Sequence, residues 1–113
     1  MPWDRRSRIL GMWGFGVALF AFVAGTAFAD VAAGRAKAAA CAVCHGGNGL
    51  SMQPNVPHLA GQPQIYLVEQ LKNYRSGKRP HEVMSVIAKP LTDREIEDLA
   101  AWYASHQLQV TAP

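Results

Sequence analysis

Apolar residues recur at helical spacing in two stretches of the second half of the chain. The first stretch follows Pro63 and stops at Gly77, which predicts a helix over about Pro63–Ser76. Its apolar positions are Ile65, Leu67, Val68, Leu71 and Tyr74. The second opens with the capping-box sequence Thr92-Asp93-Arg94-Glu95 and predicts a helix that ends near His106. Its apolar positions are Ile96, Leu99, Ala100 and Tyr103.

The remaining segments complete a helical pattern. Val31–Cys44 is rich in alanine and lacks proline, which predicts a helix with Asp30 as its N-cap. Gly34 within it indicates a point where another helix comes close. Gly46–Gln62 is predicted to be irregular because glycine and proline interrupt it, and a short helical turn is expected at about Ser85–Lys89. No segment alternates as a strand does, so the predicted fold class is all-α.

The first 29 residues have the pattern of a secretory leader. Arg5, Arg6 and Arg8 precede an apolar run, and Ala27-Phe28-Ala29 forms a small-x-small cleavage sequence. We therefore predict a cleaved signal peptide at 1–29 and a single exported domain at 30–113. The alternative is an uncleaved membrane anchor, because residues 9–29 form an uncharged run of 21 residues. The net charge of +3 includes three leader arginines, so it does not indicate nucleic-acid binding.

Cys41-Ala42-Val43-Cys44-His45 is a C-x-x-C-H sequence, which is typical of covalent haem attachment. Cysteines three residues apart lie on one side of a helical turn, so both sulfurs can bond one edge of a porphyrin. The histidine then presents its imidazole to the iron. A thioredoxin-type pair needs a βαβ context, and a zinc site needs a second pair of ligands; the sequence shows neither. A disulfide here would close too small a loop to stabilise much.

The group opposite His45 decides whether such a haem carries electrons or binds small molecules. Met52 and Met84 are the methionine candidates outside the leader. Met52 follows the histidine by only seven residues, a short span in which to round the ring and reach its far face. Met84 comes after a whole predicted helix and lies in an irregular segment, so we predict Met84 as the second axial ligand. His81 is the alternative ligand.

At this point the chain resembles a class I c-type cytochrome, and in detail one domain of the bacterial periplasmic cytochromes c that carry one or two haem domains. The resemblance extends from about Gly34 to Ser105. It rests on Cys41-x-x-Cys44-His45-Gly46, Pro57-x-Leu59-Ala60-Gly61-Gln62, Tyr66-Leu67-x-x-Gln70-Leu71, Gly77-x-Arg79, Met84, and Leu91-Thr92-Asp93-x-Glu95-Ile96-x-x-Leu99-Ala100-x-x-Tyr103.

The resemblance implies a small cytochrome c fold, with three main helices and a short distal turn around one covalent haem c. Cys41 and Cys44 would bind the haem covalently, with His45 and Met84 as the axial ligands of its iron. Pro57 matches the proline whose carbonyl accepts the hydrogen bond of the histidine imidazole. Gly34 and Tyr103 match a small–aromatic contact where the first and last helices cross.

The predicted function is one-electron transfer in the periplasm between redox protein partners, either as a free carrier or as a subunit attached to a dehydrogenase. We expect no enzyme activity, because no acid–base pair or nucleophile constellation is evident in the sequence. A haem enzyme or gas-binding sensor with an open sixth position is the alternative. The basic residues Lys72, Arg75, Lys78 and Arg79 are a candidate docking patch for an acidic partner. A domain this small is expected to fold poorly without its haem.

Overall fold

The helices of this protein form a short all-α domain, seen in a computed structural model that describes residues 27–112. The α-helices are α1 (Val31–Lys37), α2 (Ala42–His45), α3 (Gln64–Ser76), α4 (Met84–Ala88) and α5 (Asp93–Ala104). No strand occurs within residues 27–112, so the predicted fold class is confirmed. Most of the predicted signal peptide, residues 1–26, lies outside the described residues. In the described range, no helix is long and apolar enough to span a bilayer.

The alanine-rich segment is not the single helix that its composition predicts. α1 ends at Lys37, a 3-10 turn covers Ala38–Ala40, and α2 begins at Ala42. The Cys41 N–H donates to the Ala38 carbonyl at 2.9 Å, the tighter hydrogen bond of a 3-10 turn. The C-x-x-C-H sequence therefore forms a separate helical turn. Asp30 caps α1 as predicted, because its side chain accepts hydrogen bonds from the Ala32 and Ala33 N–H groups.

α1 crosses α5 at Gly34, which confirms the prediction that another helix comes close at this glycine. A Cβ at Gly34 would lie 1.9 Å from the Asp98 carbonyl oxygen and 2.9 Å from the Trp102 Cβ, so only glycine fits. The aromatic side chain nearest to a Cβ at Gly34 is thus that of Trp102, whereas the resemblance named Tyr103. The Tyr103 ring instead lies against Gly49, on the loop that follows α2.

α5 supplies most of the buried core and begins with the predicted cap. Thr92 and Glu95 form a reciprocal capping box, and Gly77 ends α3 in the left-handed conformation. The side chains of α5 pack against α3, α1 and the turn that follows α1, through a cluster of apolar residues. The buried members of this cluster are Ala38, Leu67, Leu99, Ala100 and Tyr103. α4 packs on α3 rather than within this cluster.

Candidate haem-attachment site

Two free thiols mark the start of the candidate site. Cys41 immediately precedes α2 and is partly buried, whereas Cys44 lies within α2 and is exposed. Burial raises the pKa of the Cys41 thiol, an effect that the Tyr103 hydroxyl and Lys37 partly oppose. Neither thiol forms a disulfide, so both are available as thiols for a covalent bond.

His45 is the last residue of α2 and is only 7% exposed. Its Nδ1 lies 2.9 Å from the Pro57 carbonyl oxygen. Because a carbonyl can only accept, Nδ1 must carry a proton, and in the neutral imidazole Nε2 is then the nitrogen with the lone pair. This is the tautomer in which a histidine ligates a metal through Nε2 while its other nitrogen is held in orientation.

The loop between α2 and α3 is irregular, as predicted, but it is held by many hydrogen bonds. The Leu59 and Ala60 N–H groups donate to the Gly49 carbonyl at 2.7 and 3.1 Å. The Ser51 hydroxyl donates to the Cys44 carbonyl at 3.1 Å, and the Ser51 N–H donates to His58 Nδ1 at 2.8 Å. These bonds fix the path of the loop and therefore the position of the carbonyl that His45 meets.

Tyr103 lies beside the candidate attachment residue Cys41, a place that neither its helical spacing nor the resemblance indicated. Its side chain is buried, its ring contacts Gly49, and its hydroxyl lies beside Cys41. Burial, with further contributions from the Cys41 thiol, raises the pKa of Tyr103 far above its usual range. The hydroxyl has no partner in full hydrogen-bond geometry among residues 27–112. Its helical spacing in α5 predicted only a core position.

Met84 begins α4 and is partly buried. Its N–H and that of Val83 donate to His81 Nδ1, each at 3.1 Å, and the His81 N–H donates to the Ser85 hydroxyl at 3.0 Å. The His81 ring therefore caps the start of α4, and it also packs edge-on against Tyr74. His81 Nδ1 is occupied by these bonds, which makes this residue a support for the Met84 segment.

Met52 is placed differently from Met84. It is 94% exposed and follows Ser51, whose hydroxyl is bonded to the Cys44 carbonyl. That bond holds this part of the loop next to α2, which carries His45. This placement favours Met84 over Met52 as the residue that reaches the opposite side of a group held by His45.

The predicted basic patch is only partly available for a partner. The Arg75 guanidinium donates to the Leu91 carbonyl at 2.8 Å and pairs with Asp93, which joins the end of α3 to the start of α5. Arg79 donates to Gln70 at 2.6 Å and lies over the Tyr74 ring. Lys72 and Lys78 are the other predicted members. The two arginines thus have structural partners of their own.

The donor set and the surface around it fit a covalent haem. Two free thiols and a histidine with an unprotonated Nε2 lie within five residues. Six of the large apolar side chains that are exposed among the described residues lie close in sequence to these groups or to Met84. They are Val43, Leu50, Met52, Val83, Val86 and Ile87. A zinc site is not supported, because residues 27–112 contain no cluster of three or more metal-ligating side chains.

The candidate attachment and ligand residues differ in exposure: Cys44 is exposed, Cys41 and Met84 are partly buried, and His45 is buried. The structure has cavities of about 230 Å³ and 400 Å³, and neither is lined by Cys41, Cys44, His45 or Met84. The larger one lies between the segment before α1 and the ends of α3 and α5.

Comparison with known proteins agrees with this site. The family model described as "Cytochrome c" matches residues 31–107. Cytochrome c-554(548) of Halomonas halodenitrificans is 40% identical over 81 residues, covering 69% of this chain and 98% of that protein. The thiosulfate dehydrogenase electron acceptor of Thiomonas intermedia is 40% identical over 77 residues, covering 67% of this chain and 36% of that protein.

A solved structure shows the same fold. The structure of reduced recombinant cytochrome c4 from Pseudomonas stutzeri aligns with a TM-score of 0.66 and 38% identity, covering 70% of this chain and 46% of that chain. This chain spans about two fifths of the length of the curated cytochrome c4 relatives that it matches. It belongs to the cytochrome c family, whose cofactor is a covalently bound haem c.

Proposed function

We propose that this chain is a one-electron carrier whose haem is bonded to Cys41 and Cys44, with His45 Nε2 and the Met84 sulfur on the two axial positions. The observation that carries the proposal is the 2.9 Å contact between His45 Nδ1 and the Pro57 carbonyl. It leaves Nε2 as the free nitrogen of a buried, oriented imidazole. Haem iron with histidine and methionine ligands supplies a reversible one-electron couple and has no open position for a substrate.

The residues around the site hold the ligands in place. Pro57 fixes the rotation of the His45 ring, and Ser51 fixes the loop that leads to Pro57. His81 caps α4, so the backbone of Met84 has a defined position before any ligand is bound. Ligands that do not move between redox states keep the reorganisation small, which suits a carrier better than an enzyme.

The proposed cellular location of the protein depends on its first residues. The pattern before Asp30 supports export to the periplasm with removal of 1–29, which leaves a domain without the long apolar run. The alternative, a membrane-anchored domain facing the periplasm, retains that run. The mass of the N-terminal peptide of the exported protein distinguishes the two, since the first requires a chain that begins at Asp30.

The partners are proposed to be redox proteins. One relative is named an electron acceptor of thiosulfate dehydrogenase, which supports a donor of the dehydrogenase class. The exposed Lys78 and the partly exposed Lys72 remain as candidate docking charges, because Arg75 and Arg79 have structural partners. Electron transfer to an acidic partner should therefore slow as salt is added, and a flat response would remove these lysines from the proposal.

Met84→Ala tests the proposed ligation, with Met52→Ala as the matched control. The ferric charge-transfer band from sulfur to iron should disappear in Met84→Ala and persist in Met52→Ala. Carbon monoxide should bind the ferrous Met84→Ala protein rapidly and the wild type hardly at all. Rapid binding to the wild type would contradict the carrier and favour the gas-binding alternative.

A further inference from the structure

A buried carboxylate lies at the start of the folded domain. Asp98 is on α5 and is 6% exposed, and its Oδ1 accepts a hydrogen bond from the Asp30 backbone N–H at 2.6 Å. The Arg94 Nε lies 3.1 Å from the same oxygen. The carboxylate therefore has one charged partner, Arg94, and one neutral partner, the Asp30 N–H.

The Asp30 backbone nitrogen, which bonds to Asp98, is the atom that the proposed cleavage after Ala29 would change. Hydrolysis of the Ala29–Asp30 peptide bond by a signal peptidase consumes one water, leaves a carboxylate on Ala29 and leaves an amine on Asp30. At neutral pH that amine binds a further proton and becomes an ammonium, since such groups have pKa values of about 7.7–8.0. A neutral donor is thereby replaced by a positively charged one.

Asp30 has little freedom to carry this nitrogen away. Its side chain caps α1 by accepting from the Ala32 N–H at 2.8 Å and the Ala33 N–H at 3.2 Å. α1 in turn is fixed on α5 by the close approach at Gly34, where a Cβ would meet the Asp98 carbonyl oxygen. Both ends of the contact are thus held by structure that does not depend on the leader.

We propose that Asp98 is the receiving site for the α-amino group of Asp30, so that removal of the leader converts a hydrogen bond from a neutral N–H into a part-buried ion pair between the start of α1 and α5. The inference rests on the proposed cleavage after Ala29. The acceptor of this bond is already a carboxylate, and an ammonium donor adds the attraction between opposite charges to the hydrogen bond. The pair also offsets the unfavourable placement of a positive charge at the N-terminus of a helix.

The site selects one starting residue. Consecutive Cα atoms are about 3.8 Å apart, so a chain that begins one residue earlier or later places its ammonium beyond hydrogen-bond reach of Asp98. Cleavage also removes the Phe28 carbonyl, which accepts from Arg94 at 2.7 Å. Arg94 retains its contact with Asp98. The charged groups facing the new ammonium are Asp98 and Arg94 from α5 and the Asp30 carboxylate from its own helix.

The test uses the haem-loaded, exported protein and begins with the mass of its N-terminal peptide. We expect a chain that starts at Asp30, with an α-amino pKa above the ordinary range of about 7.7–8.0 by NMR titration, since an adjacent carboxylate favours the charged form. Asp98→Asn should return this pKa to that range. Glu97→Gln, a neighbouring change of the same charge, should leave it raised. An α-amino pKa that Asp98→Asn does not lower would overturn the inference.

A second measurement does not depend on the Asp98→Asn variant folding well. Insertion of two alanines between Ala29 and Asp30 moves the new N-terminus two residues away from Asp98 when cleavage still follows Ala29, which the mass of the N-terminal peptide verifies. The melting temperature should fall by at least about 4 °C at pH 6.5 and by less at pH 9.5, where the ammonium of the uninserted chain is losing its proton. An equal fall at both pH values would overturn the ion pair.

These outcomes are separable from those of the proposed electron carrier. An intact sulfur-to-iron band with an ordinary α-amino pKa contradicts only the Asp98 site. An exported chain that starts elsewhere contradicts both the proposed cleavage and the Asp98 site, and leaves the carrier untouched. Loss of the band with a raised α-amino pKa contradicts only the ligation.

Discussion

The crossing of α1 on α5 and the segments that carry Cys44 and Met84 are stabilised in different ways. At the crossing, backbone meets backbone at Gly34, and Ile96 and Leu99 of α5 are almost wholly buried. Around Cys44 and Met84, apolar side chains such as Val43 and Val86 are exposed, and the order comes from hydrogen bonds. The first region is complete as polypeptide, whereas the second is a hydrogen-bonded frame with uncovered apolar surface.

This difference indicates how the domain divides its stability between chain and cofactor. The hydrophobic effect stabilises buried apolar area, which is present at the helix crossing and lacking around the attachment site. A covalently attached haem would supply the missing contacts there. Changes at the site should therefore act through the haem, and changes at the crossing should act whether or not the haem is bound.

The largest effect is expected from loss of the attachment residues. The double variant Cys41→Ala, Cys44→Ala should be colourless, with the mass of the bare polypeptide, and should lose its cooperative thermal unfolding because its site surface stays uncovered. Calorimetry and hydrogen exchange measure this, and residual protection should be confined to α1 and α5. Val43→Ala, between the two cysteines, should keep the haem. Cooperative thermal unfolding of the colourless variant would contradict the proposal that the haem supplies the missing apolar contacts around the site.

The next largest effect is expected at the helix crossing. Gly34→Ala places a Cβ 1.9 Å from the Asp98 carbonyl oxygen, so the two helices must separate. We expect the free energy of unfolding to fall by about 3 kcal/mol, measured by denaturant titration, with the visible spectrum of the folded protein unchanged. Gly47→Ala is the control, because a Cβ there meets nothing within 4 Å. Equal losses in the two variants would remove the close approach as the cause.

A smaller effect is expected at the start of α5. Thr92→Ala removes the side chain that accepts from the Glu95 N–H, and it also breaks the capping box. The free energy of unfolding should decrease by about 1 kcal/mol in denaturant titration. Thr111→Ala, in the exposed C-terminal tail, should have no measurable effect. A Thr92→Ala protein as stable as the control would show that packing alone fixes the start of this helix.

The smallest effect is expected from surface ion pairs in acid. A hydrogen bond from Arg75 lowers the pKa of Asp93, and one from Lys37 lowers the pKa of Glu95. A carboxyl group whose pKa is lowered by folding contributes stability above its unfolded pKa, and that stability is lost as the pH falls through the folded pKa. Asp93→Asn should therefore flatten the loss of melting temperature below about pH 4. Glu69→Gln, an exposed change on α3, should leave the curve unchanged.

The sequence was sufficient for the elements whose signals are local. The capping box at Thr92, the glycine at the end of α3 and the helical spacing of α5 each depend on neighbouring residues, and the structure confirms all three. The C-x-x-C-H motif is also local, and the cofactor that it predicts agrees with the family to which the chain belongs. The ligand roles of His45 and Met84 stay predictions.

Features that join distant segments were not predictable from the pattern. Alanine side chains carry no signal that separates a 3-10 turn from an α-helix, so the break at Ala38–Ala40 was missed. Helical spacing places Trp102 and Tyr103 on α5 without stating which one meets Gly34 and which one meets Gly49. The bond between Asp30 and Asp98 joins residues 68 positions apart, and no local rule contains it.

The bond from the Gly61 N–H to the Tyr103 carbonyl, 2.9 Å long, links the loop after α2 to the last turn of α5. Four residues earlier in that loop stands Pro57, whose carbonyl orients the His45 imidazole. The last turn of α5 therefore helps to fix the orientation of the His45 imidazole. Loss of the Gly61–Tyr103 bond should therefore change the absorbance of the haem, which makes absorbance a gauge of whether the last turn of α5 is in place.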